Sequence, residues 1–163
     1  MEYNKLFNVA LKGMDKNRIK IGEYDGNKAI IVDGCYLILV PDRDFMLDMD
    51  KCLEKCKQVT PVDCSRMFSQ EREAEDKPLR DTKFISKING VQYHYFTSAN
   101  GEKLYFREEA FSYLSKWEDL RVHKLPGRGN PGYIYAVGNI TRLVGIVMPM
   151  YHNEGTEEKE IET

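Results

Sequence analysis

The chain contains 163 residues, with 24 Lys or Arg against 26 Asp or Glu, which gives a formal net charge of −2. This length suits one domain and excludes a barrel of eight alternating strands and helices, which needs ~250 residues. The near balance of charges excludes a uniformly basic nucleic-acid coat but leaves room for a local basic face. Hydrophobic residues make up 42% of the chain, enough for a packed core.

The sequence predicts a cytoplasmic protein. No apolar run approaches the ~20 residues that span a bilayer, and the N-terminus lacks the basic and apolar regions of a signal peptide. The cysteines are therefore expected to remain reduced thiols. They are Cys35, Cys52, Cys56 and Cys64.

The first forty residues predict a helix followed by strands. Apolar residues recur at helical spacing over 3–14, and they alternate with polar residues over 18–24 as in a strand buried on one face. Residues 29–32 and 35–40 are apolar and rich in β-branched side chains. Two strands, or one bent strand, are expected there, with Gly34 at the bend.

The segment 43–82 is interpreted as an insertion between two halves of the domain. Its first part, 43–57, has apolar residues at helical spacing, and Asp42 or Asp44 is expected to cap this helix with a side-chain oxygen. Residues 69–82 are charged and nearly free of large apolar groups, which predicts a surface connection.

The second half predicts a hairpin, a helix and further strands. Asn89-Gly90 is a turn signal between the strand patterns 84–88 and 91–96. Residues 107–117 are expected to form a helix with Trp117 facing inward. Further strands are expected over 103–106, 120–125, 133–137 and 143–148. The acidic tail 152–163 is expected to be disordered, which leaves 1–151 as a single domain.

Two short motifs carry a resemblance to a known family. Ile31-Val32-Asp33-Gly34-Cys35-Tyr36-Leu37 resembles the Asp-Gly-x-x-Leu stretch in domains of the bacterial DNA polymerase sliding clamp, the β subunit. Val147-Met148-Pro149-Met150 is similar to the ending of that clamp's last domain. The resemblance covers roughly residues 3–40 and 104–150. The chain departs from the family in having room for one domain instead of three, and the insertion has no counterpart there.

The resemblance implies an α+β fold in which two pseudo-repeated helix-plus-strands halves form antiparallel sheets with the helices on one side. It also implies a non-enzymatic binding module that acts in DNA transactions or binds a partner protein. The small size, the insertion and the acidic tail suit a phage or mobile-element accessory protein. No cofactor or metal is expected, and the sequence does not specify an oligomeric state.

Duplex DNA is one expected partner. Lys5, Lys12 and Lys16 lie near one another on a helical wheel, opposite the apolar stripe, and the helices of a clamp-like fold line the DNA-facing side. Arg128, in a glycine-rich loop, could contact the phosphate backbone. A solvated helix face explains the three lysines equally well.

A partner protein or peptide is the other expectation, at the end of the last strand. Pro149 cannot donate to a strand ladder, so this strand should stop or become an edge there. Methionine is flexible and polarizable, which suits a surface that accepts varied apolar side chains. An apolar groove bordered by Met148 or Met150 is therefore expected, and the full set is Val147, Met148, Pro149, Met150 and Tyr151.

Other motifs favour structural explanations. Gly127 to Gly132 matches Gly-x-Gly-x-x-Gly, but a strand pattern follows it where a dinucleotide site needs a helix. Cys52, Cys56 and Cys64 could share a zinc ion, although buried thiols explain them better. The aromatic pattern over 93–96 is found in single-stranded nucleic-acid platforms, but alternate rings of an ordinary strand look the same.

Two rival functions stay open. One is a small enzyme that uses Cys64 as a nucleophile and His94 or His123 as its base, since a base need only be near in space. No glycine-rich elbow or helix start accompanies Cys64 in the sequence. The other rival is an inhibitor that binds one host target and no DNA.

Overall fold

The computed structural model describes residues 1–151 and, for the backbone alone, residues 158–162. Within this part of the chain it shows three α-helices, two short 3-10 helices and twelve strands. The α-helices are α1 Tyr3–Met14, α2 Met49–Lys55 and α3 Glu71–Ala74, and the 3-10 helices are Asp42–Asp44 and Glu108–Phe111. The strands are β1 Ile19–Tyr24, β2 Asn27–Val32, β3 Tyr36–Pro41, β4 Val62–Asp63, β5 Arg80–Ile88, β6 Val91–Thr97, β7 Lys103–Arg107, β8 Asp119–Lys124, β9 Gly132–Val137, β10 Thr141–Val147, β11 Pro149–Met150 and β12 Glu158–Glu162.

The strands form two sheets. Sheet A has the order β4-β1-β2-β3-β10-β9-β8, and sheet B has the order β11-β7-β6-β5-β12. Neighbouring strands are antiparallel except β1 and β4, which are parallel. The expected α+β class with antiparallel sheets is therefore correct, although sheet A is mixed at one edge.

Sheet A consists mainly of two three-stranded meanders that meet at β3 and β10. The seam between them is short, because only three residues of β10 pair with β3, in the register Gly145↔Ile38, Ile146↔Leu37 and Val147↔Tyr36. A register shift between Leu143 and Gly145 bends β10 against its other neighbour, β9. The first meander turns at Asp33 and Gly34, which both have positive φ angles of 55° and 66°.

Alternation along the strands of sheet A divides the apolar residues between two clusters. On one face, Ile30 and Ile38 pack with α1, α2 and the inner residues of sheet B, including Phe96 and Phe106. On the other face, Leu37 and Leu39 pack under the segment 62–74. This face holds Cys64, Phe68, Ala74, Tyr133, Tyr135 and Ile146.

The prediction that all helices lie on one side is therefore wrong for α3. Ala74, in α3, belongs to the second cluster, whereas α1 and α2 belong to the first. The segment 69–82 was expected to be a surface connection, but Ala74 is fully buried and the preceding Phe68 stacks on Tyr24 at 4.2 Å between ring centroids. Two buried residues suffice to fix this otherwise charged segment on the sheet.

The second helix is shorter than the expected span 43–57. It begins at Met49 because Asp48 is its N-cap, with a side-chain oxygen that accepts a hydrogen bond from Lys51 N at 3.2 Å. The predicted caps Asp42 and Asp44 instead lie in a 3-10 helix. Several aspartates in this stretch could serve as the N-cap, and the spacing of the apolar residues does not determine which of them starts the helix.

The helix expected over 107–117 is also wrong. Only a 3-10 helix, Glu108–Phe111, forms there, and turns follow it. Ser112 N donates to the Glu109 carbonyl, and Tyr113 turns inward so that its hydroxyl pairs with that of Tyr36 at 2.8 Å. Trp117 consequently lies outside, with 80% of its surface exposed.

The pseudo-repeat of the clamp resemblance stays a prediction. α1 and Phe111 contribute to the same cluster, but the element before the second meander is a 3-10 helix where the first has an α-helix. Of the tail expected to be disordered, the backbone of β12 pairs with β5, while 152–157 and 163 lie outside the described residues. Among the described helices, none is long and apolar enough to cross a bilayer.

A side chain extends the edge of sheet A beyond the short strand β4. The Gln58 amide accepts a hydrogen bond from Ile21 N and donates one to Ile21 O, both at 2.8 Å. Gln58→Leu leaves the N–H of the buried Ile21 without its acceptor, so we expect a loss of about 2 kcal/mol in the free energy of unfolding. Urea unfolding measures this loss. Val59→Ala is the control, because Val59 is 95% exposed and should leave stability unchanged.

Candidate functional site

An apolar groove lies on the outer face of sheet A, beside the segment that covers the rest of that face. It has a volume of about 320 Å³. Its lining comes from the β2–β3 turn, the segment 66–70, the start of β9 and the end of β10. The lining side chains are mainly apolar, and they include Ile31, Leu37, Met67, Tyr133, Ile146 and Met148.

The floor of the groove is buried and its rim is exposed. Leu37 and Ile146 are neighbours across the β3–β10 seam and are almost fully buried. Tyr133 is buried beside them, and its hydroxyl donates to the Met67 carbonyl at 3.3 Å, which holds the covering segment against the sheet. Met67 and Met148 form the rim and keep 42% and 38% of their surface exposed.

Met148 is positioned where the chain leaves one sheet for the other. β10 ends at Val147, as the following proline predicts, and Met148 N donates to the Cys35 carbonyl at 2.8 Å. This hydrogen bond anchors the backbone while the side chain remains at the groove. The flexible thioether can then adjust to different apolar groups.

Arg66 is a cation at the rim of the groove. The Arg66 side chain forms no hydrogen bond or ion pair with any residue that the structure describes, although Arg66 lines the groove. Asp33, which precedes Gly34 in the β2–β3 turn, already has cationic partners. It accepts hydrogen bonds from Arg18 and from Arg107 Nη1, the latter at 2.6 Å. The hydrogen bonds from Arg18, then those from Arg107, hold the pKa of Asp33 below its usual range.

The other residues predicted for a partner site do not line the groove. Val147 is fully buried in the core, and Pro149 and Met150 pair with β7 at the edge of sheet B. Tyr151 is exposed, but its hydroxyl accepts a hydrogen bond from Gly129 N at 3.0 Å. The change of sheet at Pro149 explains this division, because it turns the residues after Met148 away from sheet A.

Of the three lysines predicted to contact DNA, two lie in α1 and the third lies just beyond its end. Lys5 Nζ donates to the Ser112 carbonyl at 3.1 Å, and Lys12 lies exposed in the last turn of α1. Lys16 lies beyond the end of α1. Arg128 stacks over the ring of Tyr151 at 4.7 Å. DNA contact by these side chains stays a prediction.

The residues considered for catalysis or zinc are not brought together. Cys52 and Cys56 belong to the first apolar cluster, whereas Cys64 lies on the opposite face of sheet A. Burial raises the pKa of the Cys64 thiol, the opposite of what a nucleophile needs. Among the described residues there is no group of three His, Cys, Asp or Glu side chains that could hold a metal ion.

Each histidine in the strands has partners other than Cys64. His123 Nδ1 lies 2.7 Å from the Glu75 carbonyl. His94 is buried between two carboxylates, with Nδ1 at 2.8 Å from Glu108 and Nε2 at 2.5 Å from Asp81. Burial lowers the pKa of His94, but the hydrogen bonds that the ring donates to these carboxylates outweigh it and raise the pKa to about 9. His94 is therefore a cation at neutral pH and does not act as a free base.

The sequence does not predict the part of the groove that comes from the insertion. Arg66 and Met67 lie between the predicted helix 43–57 and the predicted connection 69–82, where no element is expected. The sequence signal for this part of the groove is Met67-Phe68, two adjacent large apolar residues in a charged segment. Phe68 packs on the sheet, and Met67 borders the groove.

No protein-family model, no curated protein and no solved structure matches this chain. Its function is therefore argued from its own residues.

Proposed function

We propose that this protein is a non-enzymatic binding module whose groove accepts an apolar segment of a partner protein. The observation that carries the proposal is an open apolar groove with a floor of buried side chains and two exposed methionines on its rim. Floor residues that are already packed have little conformational entropy to lose on binding, and methionine side chains adapt to the group that enters. The resemblance of Val147-Met148-Pro149-Met150 to the clamp ending supports the same assignment.

The size and charge of the groove define the partner. A volume of about 320 Å³ lies at the lower end of the range for ligand sites, so it accommodates one or two apolar side chains and not a whole helix. Arg66 on the rim has no acceptor among the described residues, so an acidic residue beside the apolar anchor gains a charge-assisted hydrogen bond. We infer an extended segment with a Leu or Phe anchor flanked by Asp or Glu.

Labelled ten-residue peptides test this proposal by fluorescence anisotropy. One set carries a Leu-Phe pair flanked by Glu, and a second set carries the same pair flanked by Lys. The Glu-flanked set should bind more tightly to the wild type, and Arg66→Glu should reverse the preference. Met148→Glu places a charge in the apolar groove and should weaken binding of the Glu-flanked set by at least about tenfold.

Met46→Glu is the matched control for Met148→Glu. Met46 is a methionine with 73% of its surface exposed, and it does not line the groove. This variant should bind the peptides as the wild type does. Equal affinities for both peptide sets, or equal effects of the two Met→Glu substitutions, would contradict the proposal.

A further inference from the structure

A second cavity lies apart from the groove, at the end of β8. It has a volume of about 300 Å³, and its walls come from the segment 76–79, the β6–β7 turn and the residues that follow β8. Most of the lining is apolar, including Pro78, Leu79, Leu104 and Leu125. Lys124, the last residue of β8, also lines it.

Lys124 is the unusual residue of this cavity. Only 5% of its surface is exposed, and Nζ donates to the carbonyls of Leu125 at 3.0 Å and Gly127 at 2.8 Å. It forms no ion pair with a carboxylate of the described residues. Burial lowers the pKa of Lys124, and the charge of Glu102 opposes this effect only in part.

The surroundings of Lys124 Nζ disfavour its charge. Near-complete burial beside an apolar lining removes water from the group, and no carboxylate of the described residues pairs with it. The two carbonyls stabilise the ammonium only in part, and they also match the two N–H donors of a neutral amine. The lone pair of the neutral amine can react with an electrophile in the cavity.

We propose that Lys124 is an imine-forming residue and that this cavity takes a small neutral aldehyde. The amine lone pair attacks the carbonyl carbon, and the resulting carbinolamine loses water to give a C=N bond. One aldehyde and one amine become one imine and one water, so no oxidant or reductant is needed. Glu102 lines the same cavity and carries a carboxyl group suited to proton transfer during the loss of water.

The charges of the lining do not select for a carboxylate. Lys77 and Asp76 both line the cavity and pair with each other at 3.2 Å, while Glu102, also in the lining, adds a negative charge that opposes the entry of an anion. A neutral aldehyde meets no such opposition, and its apolar chain replaces water against the leucine and proline side chains. The site shares no lining residue with the groove, so it neither requires nor contradicts the proposed function.

Reductive labelling with propionaldehyde and cyanoborohydride at pH 7 tests the proposal on the full-length folded protein. Cyanoborohydride converts each imine into a stable propyl-lysine, and peptide mapping by mass spectrometry gives the rate at each lysine. Because labelling requires the neutral amine, the lowered pKa of Lys124 increases the fraction that can react at pH 7. We expect Lys124 to react several times faster than the exposed Lys12 and Lys20.

Two further measurements separate the cavity from the intrinsic chemistry of the lysine. In urea all three lysines should react at similar rates, because the cavity is lost. Ala99→Trp adds a bulky ring at an exposed lining position and should slow labelling of Lys124 alone. Labelling of Lys124 at or below the rate of Lys12 in the folded protein would overturn the proposal, as would a rate unaffected by Ala99→Trp.

Discussion

Replacing Gly145 by alanine is expected to lower the free energy of unfolding by about 3 kcal/mol or more. A Cβ atom on Gly145 would lie 2.2 Å from the Leu37 carbonyl oxygen, so the backbone must move. Gly145 pairs with Ile38 at the short seam between the two meanders. The movement therefore acts on the few hydrogen bonds that join the halves of sheet A, and urea unfolding at neutral pH measures the loss.

Gly138→Ala is the matched control for Gly145→Ala. A Cβ atom on Gly138, in the turn between β9 and β10, meets nothing within 4 Å. Its substitution should leave stability unchanged or slightly increased, because alanine restricts the unfolded chain. Similar losses in the two variants would show that the close approach to Leu37 does not determine the effect.

The second large effect concerns pH and the His94 imidazolium. The pKa of His94 is about 9 in the folded protein, against an ordinary value of 6.5. The ion pairs with Asp81 and Glu108 thus contribute stability that is fully present below pH 6.5 and is lost as pH rises through 9. We expect the free energy of unfolding to fall by about 3 kcal/mol over this interval.

His94→Gln isolates this contribution. The glutamine keeps hydrogen-bonding groups but does not titrate, so its free energy of unfolding should be nearly constant from pH 6.5 to 9. Burial raises the pKa of the Cys52, Cys56 and Cys64 thiols, which also lowers stability as pH increases above 9. Urea unfolding of both proteins at each pH separates the two sources, and equal slopes would assign the effect to groups other than His94.

The first meander could be predicted from the sequence because its signals are local. The alternation over 18–24 and the bend at Gly34 depend only on neighbouring residues. The structure has β1 at the first position and a turn with a positive φ angle at Gly34 at the second. The helix over 3–14 likewise follows from its own apolar stripe. In these segments burial and local propensity favour the same conformation.

The region 107–117 could not be predicted because a distant contact determines it. Helical spacing of Ala110, Phe111 and Leu114 favours a helix, but the buried hydroxyl pair of Tyr36 and Tyr113 joins this segment to β3. That contact links residues 77 positions apart, and it has no signature in the local pattern. The hydrogen bond of a buried phenol outweighs a modest helix propensity here.

The sequence predicts only the side of the candidate groove that Met148 forms. Met148 was expected at a groove because the proline after it must end a strand, and that reasoning is local. Arg66 and Met67 reach the same place because Phe68 and Ala74 attach their segment to the far face of sheet A. Attachment of an irregular segment depends on the shape of that face, which the sequence pattern does not encode.

The seam between the meanders has a consequence for synthesis of the chain. The apolar strand β3 has the sequence Tyr-Leu-Ile-Leu-Val-Pro. Its partner β10 is translated about a hundred residues later. Until β10 emerges, the nascent N-terminal meander presents an apolar strand with unpaired backbone groups, the surface that promotes aggregation. We therefore expect ribosome-bound or truncated chains that end before residue 141 to aggregate, whereas pairing of β3 with β10 covers this edge in the folded protein.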